Sequence, residues 1–63
     1  MQNLTAATAV EGQPVMIRKF YEGRLLQEYA GMFSRVTRNG YLRCREDDHG
    51  TFCDYPPREV FPV

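Results

Sequence analysis

The chain of 63 residues is long enough for one small domain, which buries only about 60% of the surface that its unfolded chain exposes. A composition of 43% hydrophobic and 25% charged residues is typical of a folded globular protein and excludes a disordered one. No run approaches the roughly 20 apolar residues of a membrane helix, and residues 1–10 lack the basic start of a signal peptide. We therefore expect a cytoplasmic protein with no membrane partner.

The net charge of zero is unevenly distributed along the chain. Residues 18–45 carry seven basic and two acidic side chains, whereas residues 46–63 carry five acidic and one basic. Seven of the eight basic residues are arginines, which favour planar, bidentate and stacked contacts. The simplest interpretation is that the two halves neutralise each other in the folded protein.

Residues 1–12 show no hydrophobic periodicity, so they are predicted to form a flexible N-terminal arm before a domain over residues 13–63. The domain begins with a predicted strand from Gln13 to Tyr21, opened by Pro14 at a position where a strand tolerates proline. Glu22 and Gly23 then turn the chain.

Residues 24–36 admit two interpretations. Their apolar side chains recur at a spacing that would also form one face of a helix: Leu25, Leu26, Tyr29, Met32, Phe33 and Val36. Gly31 and the absence of a capping residue favour instead a long strand with a kink at Ala30-Gly31. We predict the strand; the alternative is an α+β fold with a helix at 24–36.

Two turn signals predict two consecutive hairpins. Asn39-Gly40 is a strong hairpin sequence, and a three-residue loop over residues 38–40 would pair Val36 with Leu42 and Ser34 with Cys44. A four-residue loop over residues 47–50 would pair Glu46 with Thr51, Cys44 with Cys53 and Leu42 with Tyr55.

This register divides the hairpins into two faces because strand side chains alternate. The predicted inner face contains Met32, Ser34, Val36, Leu42, Cys44, Cys53 and Tyr55. The predicted outer face contains Phe33, Arg35, Tyr41, Arg43, Arg45, Phe52 and Asp54.

The C-terminal stretch is predicted to end the fourth strand and to form a turn and a short fifth strand. Pro56 and Pro57 stop the fourth strand because neither can donate a ladder hydrogen bond. Residues 58–60 suit a single 3₁₀ turn, and Phe61 to Val63 a short final strand, which Pro62 restricts to an edge.

The motifs GRLLQEYAGMF, NGYLRCREDDHGTFCDY and PPREVFPV together resemble the SH3-like small β-barrels, the broad group that includes KOW and Tudor domains. The resemblance covers residues 13–63 and is specific for architecture. It implies an all-β, five-stranded barrel with a 3₁₀ turn before the last strand. Since the sequence has no catalytic pattern, we expect a non-catalytic binding module with a protein-interaction or regulatory role.

Two narrower resemblances concern function. MFSRVTRNGYL is similar to the central hairpin of OB-type barrels, whose outward aromatic and basic residues bind single-stranded nucleic acid. The runs NGY and HGTFCDYPP are together faintly similar to the SH3-like plasmid-type dihydrofolate reductases. Their active site uses Val-Gln-Ile-Tyr; Phe52 to Tyr55 stand in that place and match only the tyrosine, so this enzyme is a remote alternative.

No residue pattern predicts catalysis, a metal or a cofactor. His49 stands beside Asp47 and Asp48 in a turn, where nothing orients it as a general base, and these residues lack the ligand number of a calcium loop. Cys44 and Cys53 are predicted cross-strand neighbours, for which a disulfide is conceivable; free thiols are expected in a cytosolic protein.

The outer face is the predicted binding site, formed by Phe33, Arg35, Tyr41, Arg43, Arg45 and Phe52. Exposed apolar side chains beside arginines are typical of an interface, so a protein partner, including a second copy of the chain, is the first hypothesis. Stacking and phosphate contacts with single-stranded RNA or DNA are the second. An aromatic cage of Tyr21, Tyr29 and Tyr55 around a cation is a further possibility, weighed against core packing of Tyr29 and Tyr55.

Overall fold

A computed structural model describes residues 2–63. They form five antiparallel strands and one short 3₁₀ turn: β1 (Pro14–Tyr21), β2 (Arg24–Val36), β3 (Leu42–Glu46), β4 (Phe52–Tyr55), the turn (Pro57–Glu59) and β5 (Val60–Pro62). The strands belong to one sheet in the order β4-β3-β2-β1-β5, which is not closed. The predicted all-β class is confirmed. Within residues 2–63, no helix has the length and apolar character needed to cross a membrane.

The helical alternative for residues 24–36 is wrong. These 13 residues form the longest strand, which pairs with β1 along its length and with β3 over its second half. Pairing is continuous through Ala30 and Gly31, and the irregularities lie at two bulges, Leu26 and Ser34, which have no cross-strand partner. The apolar side chains of this strand do not share one face, since Phe33 is buried whereas Leu25, Leu26 and Met32 are 50%, 64% and 46% exposed.

The predicted loops and most of the predicted register are confirmed. Val36 pairs with Leu42, and the Thr37 N–H donates to the Tyr41 carbonyl oxygen at 2.7 Å, leaving a three-residue loop that ends at Gly40 with a φ of 85°. In the second hairpin, the Glu46 N–H donates to the Thr51 carbonyl oxygen at 2.9 Å, and Cys44 pairs with Cys53.

The bulge at Ser34 corrects three of the predicted face assignments. Cys44 pairs with Phe33 and not with Ser34. Phe33 therefore points inward and is buried, whereas Met32 points outward and is 46% exposed. Ser34 itself is half-buried at the surface of the sheet. Simple alternation places these residues on the wrong faces because it has no bulge.

The core lies on the inner face of the sheet. It consists of eight buried residues: Leu4, Val15, Ile17, Phe33, Leu42, Cys44, Tyr55 and Val60. Tyr29 and Cys53 pack against it from partly exposed positions. All five strands contribute to this cluster, so no single hairpin buries its apolar face alone.

Residues 3–13 make specific contacts with the sheet. The Leu4 N–H donates to the Val60 carbonyl oxygen at 2.7 Å, and the Asn3 side-chain amide donates to the Pro57 carbonyl oxygen at 3.0 Å. Closer to β1, Gly12 and Gln13 exchange hydrogen bonds of 2.9 Å with the backbone of Phe33. The flexibility predicted for residues 1–12 stays a prediction, and Met1 lies outside the described residues.

Candidate binding groove

The outer face of β2, β3 and β4 carries two rows of side chains that cross the sheet. Cross-strand pairing aligns Met32, Arg45 and Phe52 in the first row. It aligns Arg35, Arg43 and Asp54 in the second. Side chains in such rows are close neighbours on one face.

A groove lies along these rows and has two adjoining parts, which share Ser34 and Phe52. The polar part has a volume of about 430 Å³ and is lined by Ser34, Arg35, Arg43, Phe52, Cys53 and Asp54. The apolar part has a volume of about 330 Å³ and is lined by Glu11, Gly12, Met32, Phe33, Ser34, Arg45 and Phe52. We call the two parts together the β3–β4 groove.

The polar part contains a bidentate ion pair. Arg43 donates from Nε to Asp54 Oδ1 at 2.7 Å and from Nη2 to Oδ2 at 3.2 Å. The hydrogen bond from Arg43 lowers the pKa of the Asp54 carboxyl, and the positive charges of Arg43 and Arg35 lower this pKa further. The same hydrogen bond raises the pKa of Arg43. Asp54 therefore stays ionised and occupies the fork of Arg43.

Arg35 and Arg45 remain available to a ligand. Arg35 is exposed and, among residues 2–63, takes part in none of the salt bridges. Arg45 makes one long hydrogen bond, from Nε to the Gly50 carbonyl oxygen at 3.4 Å. The groove thus offers two guanidinium groups that can bind a carboxylate or a phosphate through two parallel hydrogen bonds.

The structure brings together five of the six predicted site residues, four of them with side chains on the outer face. Arg35, Arg43, Arg45 and Phe52 line the groove, and the Phe52 side chain is 57% exposed. Phe33 is 4% exposed and belongs to the core, so it contributes only to the floor of the apolar part. Tyr41 is 41% exposed, but it lies between the β2–β3 loop and β3 and does not line the groove.

Six groove residues were not among the predicted site residues: Glu11, Gly12, Met32, Ser34, Cys53 and Asp54. Met32 and Ser34 reach the outer face only because of the bulge, for which the sequence carries no glycine signal at that position. Glu11 and Gly12 come to the groove because the segment before β1 continues alongside Phe33. Such long-range placement has no local sequence signature.

His49 and Cys44 both lie outside the β3–β4 groove. The His49 side chain is 72% exposed, and its Nε2 lies 3.7 Å from Glu46 Oε1. Within residues 2–63, no cluster of three or more His, Cys, Asp or Glu side chains could hold a metal ion. Burial raises the pKa of the Cys44 thiol to about 11, which makes it a poor nucleophile at neutral pH. Cys44 and Cys53 are both free.

The three tyrosines do not form an open cage. Tyr55 is buried, and the ammonium of Lys19 lies 5.5 Å from the centre of its ring. Tyr29 packs against the core, as predicted, whereas Tyr21 is 63% exposed near the end of the β1–β2 hairpin. The chain itself thus supplies a cation to the Tyr55 ring.

Comparison with known proteins gives no match: no family model, no curated protein and no solved structure is significantly similar to the chain.

Proposed function

We propose that the protein is a non-catalytic binding module whose β3–β4 groove binds an extended polypeptide segment. The observation that carries this proposal is the position of Arg35, an exposed guanidinium outside the salt bridges of residues 2–63, in the same groove as the exposed ring of Phe52. A carboxylate of the ligand would bind Arg35, and an apolar side chain would fill the part beside Phe52 and Met32.

We further propose that the fold is of the SH3-like small-barrel type, with a sheet that stays open between β4 and β5. Five antiparallel strands in the order β4-β3-β2-β1-β5, with a 3₁₀ turn between β4 and β5, support this architecture. We also propose a cytoplasmic location, since Cys44 and Cys53 are free thiols and disulfides are rare in that compartment.

Nucleic acid is the second candidate ligand, supported by the three arginines and the aromatic ring of the groove. Two observations make it the weaker candidate. Asp54 already occupies the fork of Arg43, and Glu11 adds a second negative charge at the apolar end. Because Phe33 is in the core, the groove offers only the Phe52 ring for stacking. Proteins that bind single-stranded nucleic acid stack successive bases on several aromatic side chains.

The test is a binding titration of the full chain with a labelled eight-residue peptide of alternating glutamate and valine. Arg35→Ala removes the free guanidinium, and we expect it to weaken binding about tenfold, which corresponds to about 1.4 kcal/mol. Arg38→Ala is the matched control, since Arg38 is also exposed but lies in the β2–β3 loop outside the groove. It should change affinity by less than about twofold, because distant surface charges are screened.

Two further probes separate the candidates. A charge-reversed peptide of alternating lysine and valine should not bind, because the groove presents guanidinium groups. A random single-stranded oligonucleotide should bind more weakly than the acidic peptide. If the oligonucleotide binds more tightly than the acidic peptide, and its affinity falls steeply with salt concentration, the ligand is nucleic acid and not a protein.

A further inference from the structure

The two edges of the sheet differ in their protection. The outer edge of β5 is covered, since Val60 accepts a hydrogen bond from Leu4 and Pro62 has no N–H to offer. β4 pairs with β3 alone. Among residues 2–63, none of the backbone hydrogen bonds outside the strand ladders involves Phe52 or Asp54. An uncovered edge strand is a template for pairing with another chain.

The direction of the free backbone groups follows from the ladder. The Thr51 carbonyl oxygen accepts from the Glu46 N–H and so points toward β3, and backbone groups of successive residues point alternately toward and away from the neighbouring strand. Cys44 with Cys53 and Leu42 with Tyr55 are then hydrogen-bonded pairs. The N–H and C=O groups of Phe52 and Asp54 consequently point away from β3, out of the sheet.

This arrangement is complementary to itself. If two β4 strands meet antiparallel about a two-fold axis at Cys53, Phe52 of each copy lies opposite Asp54 of the other. Both residues offer outward donors and acceptors, so the two pairs form four hydrogen bonds. The carboxylate of Asp54 does not oppose the contact, because Arg43 of its own chain neutralises it.

The other open edges are less regular. At the turn end of the β1–β2 hairpin, β1 extends beyond its pairing with β5, and β2 extends beyond its pairing with β3. The bulge at Leu26 distorts this exposed end of the hairpin. Bulges of this kind protect an edge from pairing. β4 has no bulge, and its residues Cys53 and Tyr55 are anchored on the core.

We propose that two copies of this chain associate through their β4 strands, with Cys53 of each copy facing Cys53 of the other on the two-fold axis. Since the axis is perpendicular to the sheet, both β3–β4 grooves open on the same side and adjoin at Phe52. The interface is small, so the dimer forms at high protein concentration. This inference goes beyond the proposed function, because neither groove requires the dimer to bind a peptide.

Cross-linking of Cys53 tests the geometry. In a non-hydrogen-bonded antiparallel pair, the Cα atoms are about 4.5 Å apart, within the range of a disulfide. Diamide should therefore link two chains through Cys53; it takes up two electrons and the two thiol protons as the S–S bond forms. The experiment uses Cys44→Ala, which excludes a bond within one chain. Cys44→Ala with Cys53→Ala is the control and should stay monomeric.

Asp54→Pro tests the hydrogen bonds. It removes an outward N–H that has no role in the β3–β4 ladder, and an edge strand tolerates proline at such a position. Two symmetry-related hydrogen bonds are lost, so the yield of linked dimer should fall about tenfold. Asp54→Asn keeps the N–H and should link as readily as the parent.

Hydrogen exchange of the unmodified protein gives an independent measurement that needs no variant. The amides of Phe52 and Asp54 should exchange fast in dilute protein and become protected as its concentration rises, whereas the Cys53 amide should be protected throughout. Concentration-independent exchange at Phe52 and Asp54, or equal cross-linking of Asp54→Pro, would overturn the dimer. A monomer that still binds the acidic peptide would leave the proposed function standing.

Discussion

Gly31 is the residue whose identity the packing restricts most directly. A Cβ at this position would lie 2.7 Å from the Arg45 carbonyl oxygen and 3.2 Å from Ile17 Cδ1. Gly31 is buried between β1 and β3, where it pairs with Val15 and Glu46. The need for glycine is therefore a close approach of backbones, not a turn.

Gly31→Ala should lower the free energy of unfolding by about 1–3 kcal/mol, because the new methyl group forces the β3 backbone to move. At a position with free space and a suitable backbone conformation, a Gly→Ala substitution would stabilise the folded protein, because alanine reduces the conformational entropy of the unfolded chain. Urea denaturation measures the difference. Gln27→Ala, on an exposed position of the same strand, should change stability by less than about 0.5 kcal/mol. A Gly31→Ala protein as stable as the parent would refute the close approach.

Individual elements are defined by their turns and bulges. Glu22 and Gly23 both have positive φ, 51° and 78°, and join β1 to β2 as a two-residue turn of the type that matches strand twist. Glutamate is an unfavourable residue for this conformation, whereas asparagine adopts it readily. The local sequence of this turn is thus suboptimal for its structure.

Glu22→Asn should raise the free energy of unfolding by about 0.5–1 kcal/mol, because Asn-Gly is the preferred sequence of such turns. Thermal denaturation followed by circular dichroism measures the effect. Glu22→Gln removes the same charge without a preference for positive φ and should leave the melting temperature nearly unchanged. If both variants stabilise equally, charge and not backbone conformation is responsible.

At the scale of the whole molecule, the sheet is completed by residues distant in sequence. Leu4 is 4% exposed and lies in the same cluster as Val15 and Val60. Its N–H also caps the β5 edge. The segment before β1 therefore buries apolar surface and protects a sheet edge. Both contributions matter in a domain of this size, which buries only a small core.

Leu4→Ala should lower the free energy of unfolding by about 2–4 kcal/mol, because it opens a cavity in the core. Val10→Ala is the control in the same segment; Val10 is 66% exposed, and its truncation should cost less than about 0.5 kcal/mol. Chemical denaturation of both variants compares them. Equal, small effects would mean that residues 1–12 are detached in solution, as a flexible arm would be.

The sequence by itself determined the all-β class, both hairpin loops, the β3–β4 register and the Val36–Leu42 pair of the β2–β3 hairpin. These features depend on local chemistry: Asn39-Gly40 and Gly50 fix the turns, and alternation fixes the faces of β3 and β4. It also identified Arg35, Arg43, Arg45 and Phe52 as neighbours.

Only the tertiary structure decided the bulge at Ser34, the burial of Phe33 and the position of residues 3–13. The bulge places the Phe33 side chain in the core but leaves Ser34 without a cross-strand partner. Whether this arrangement is favourable depends on the volume that the other strands enclose. The contacts of Leu4, Glu11 and Gly12 join residues far apart in the chain. Such contacts depend on the assembled sheet, so no local pattern encodes them.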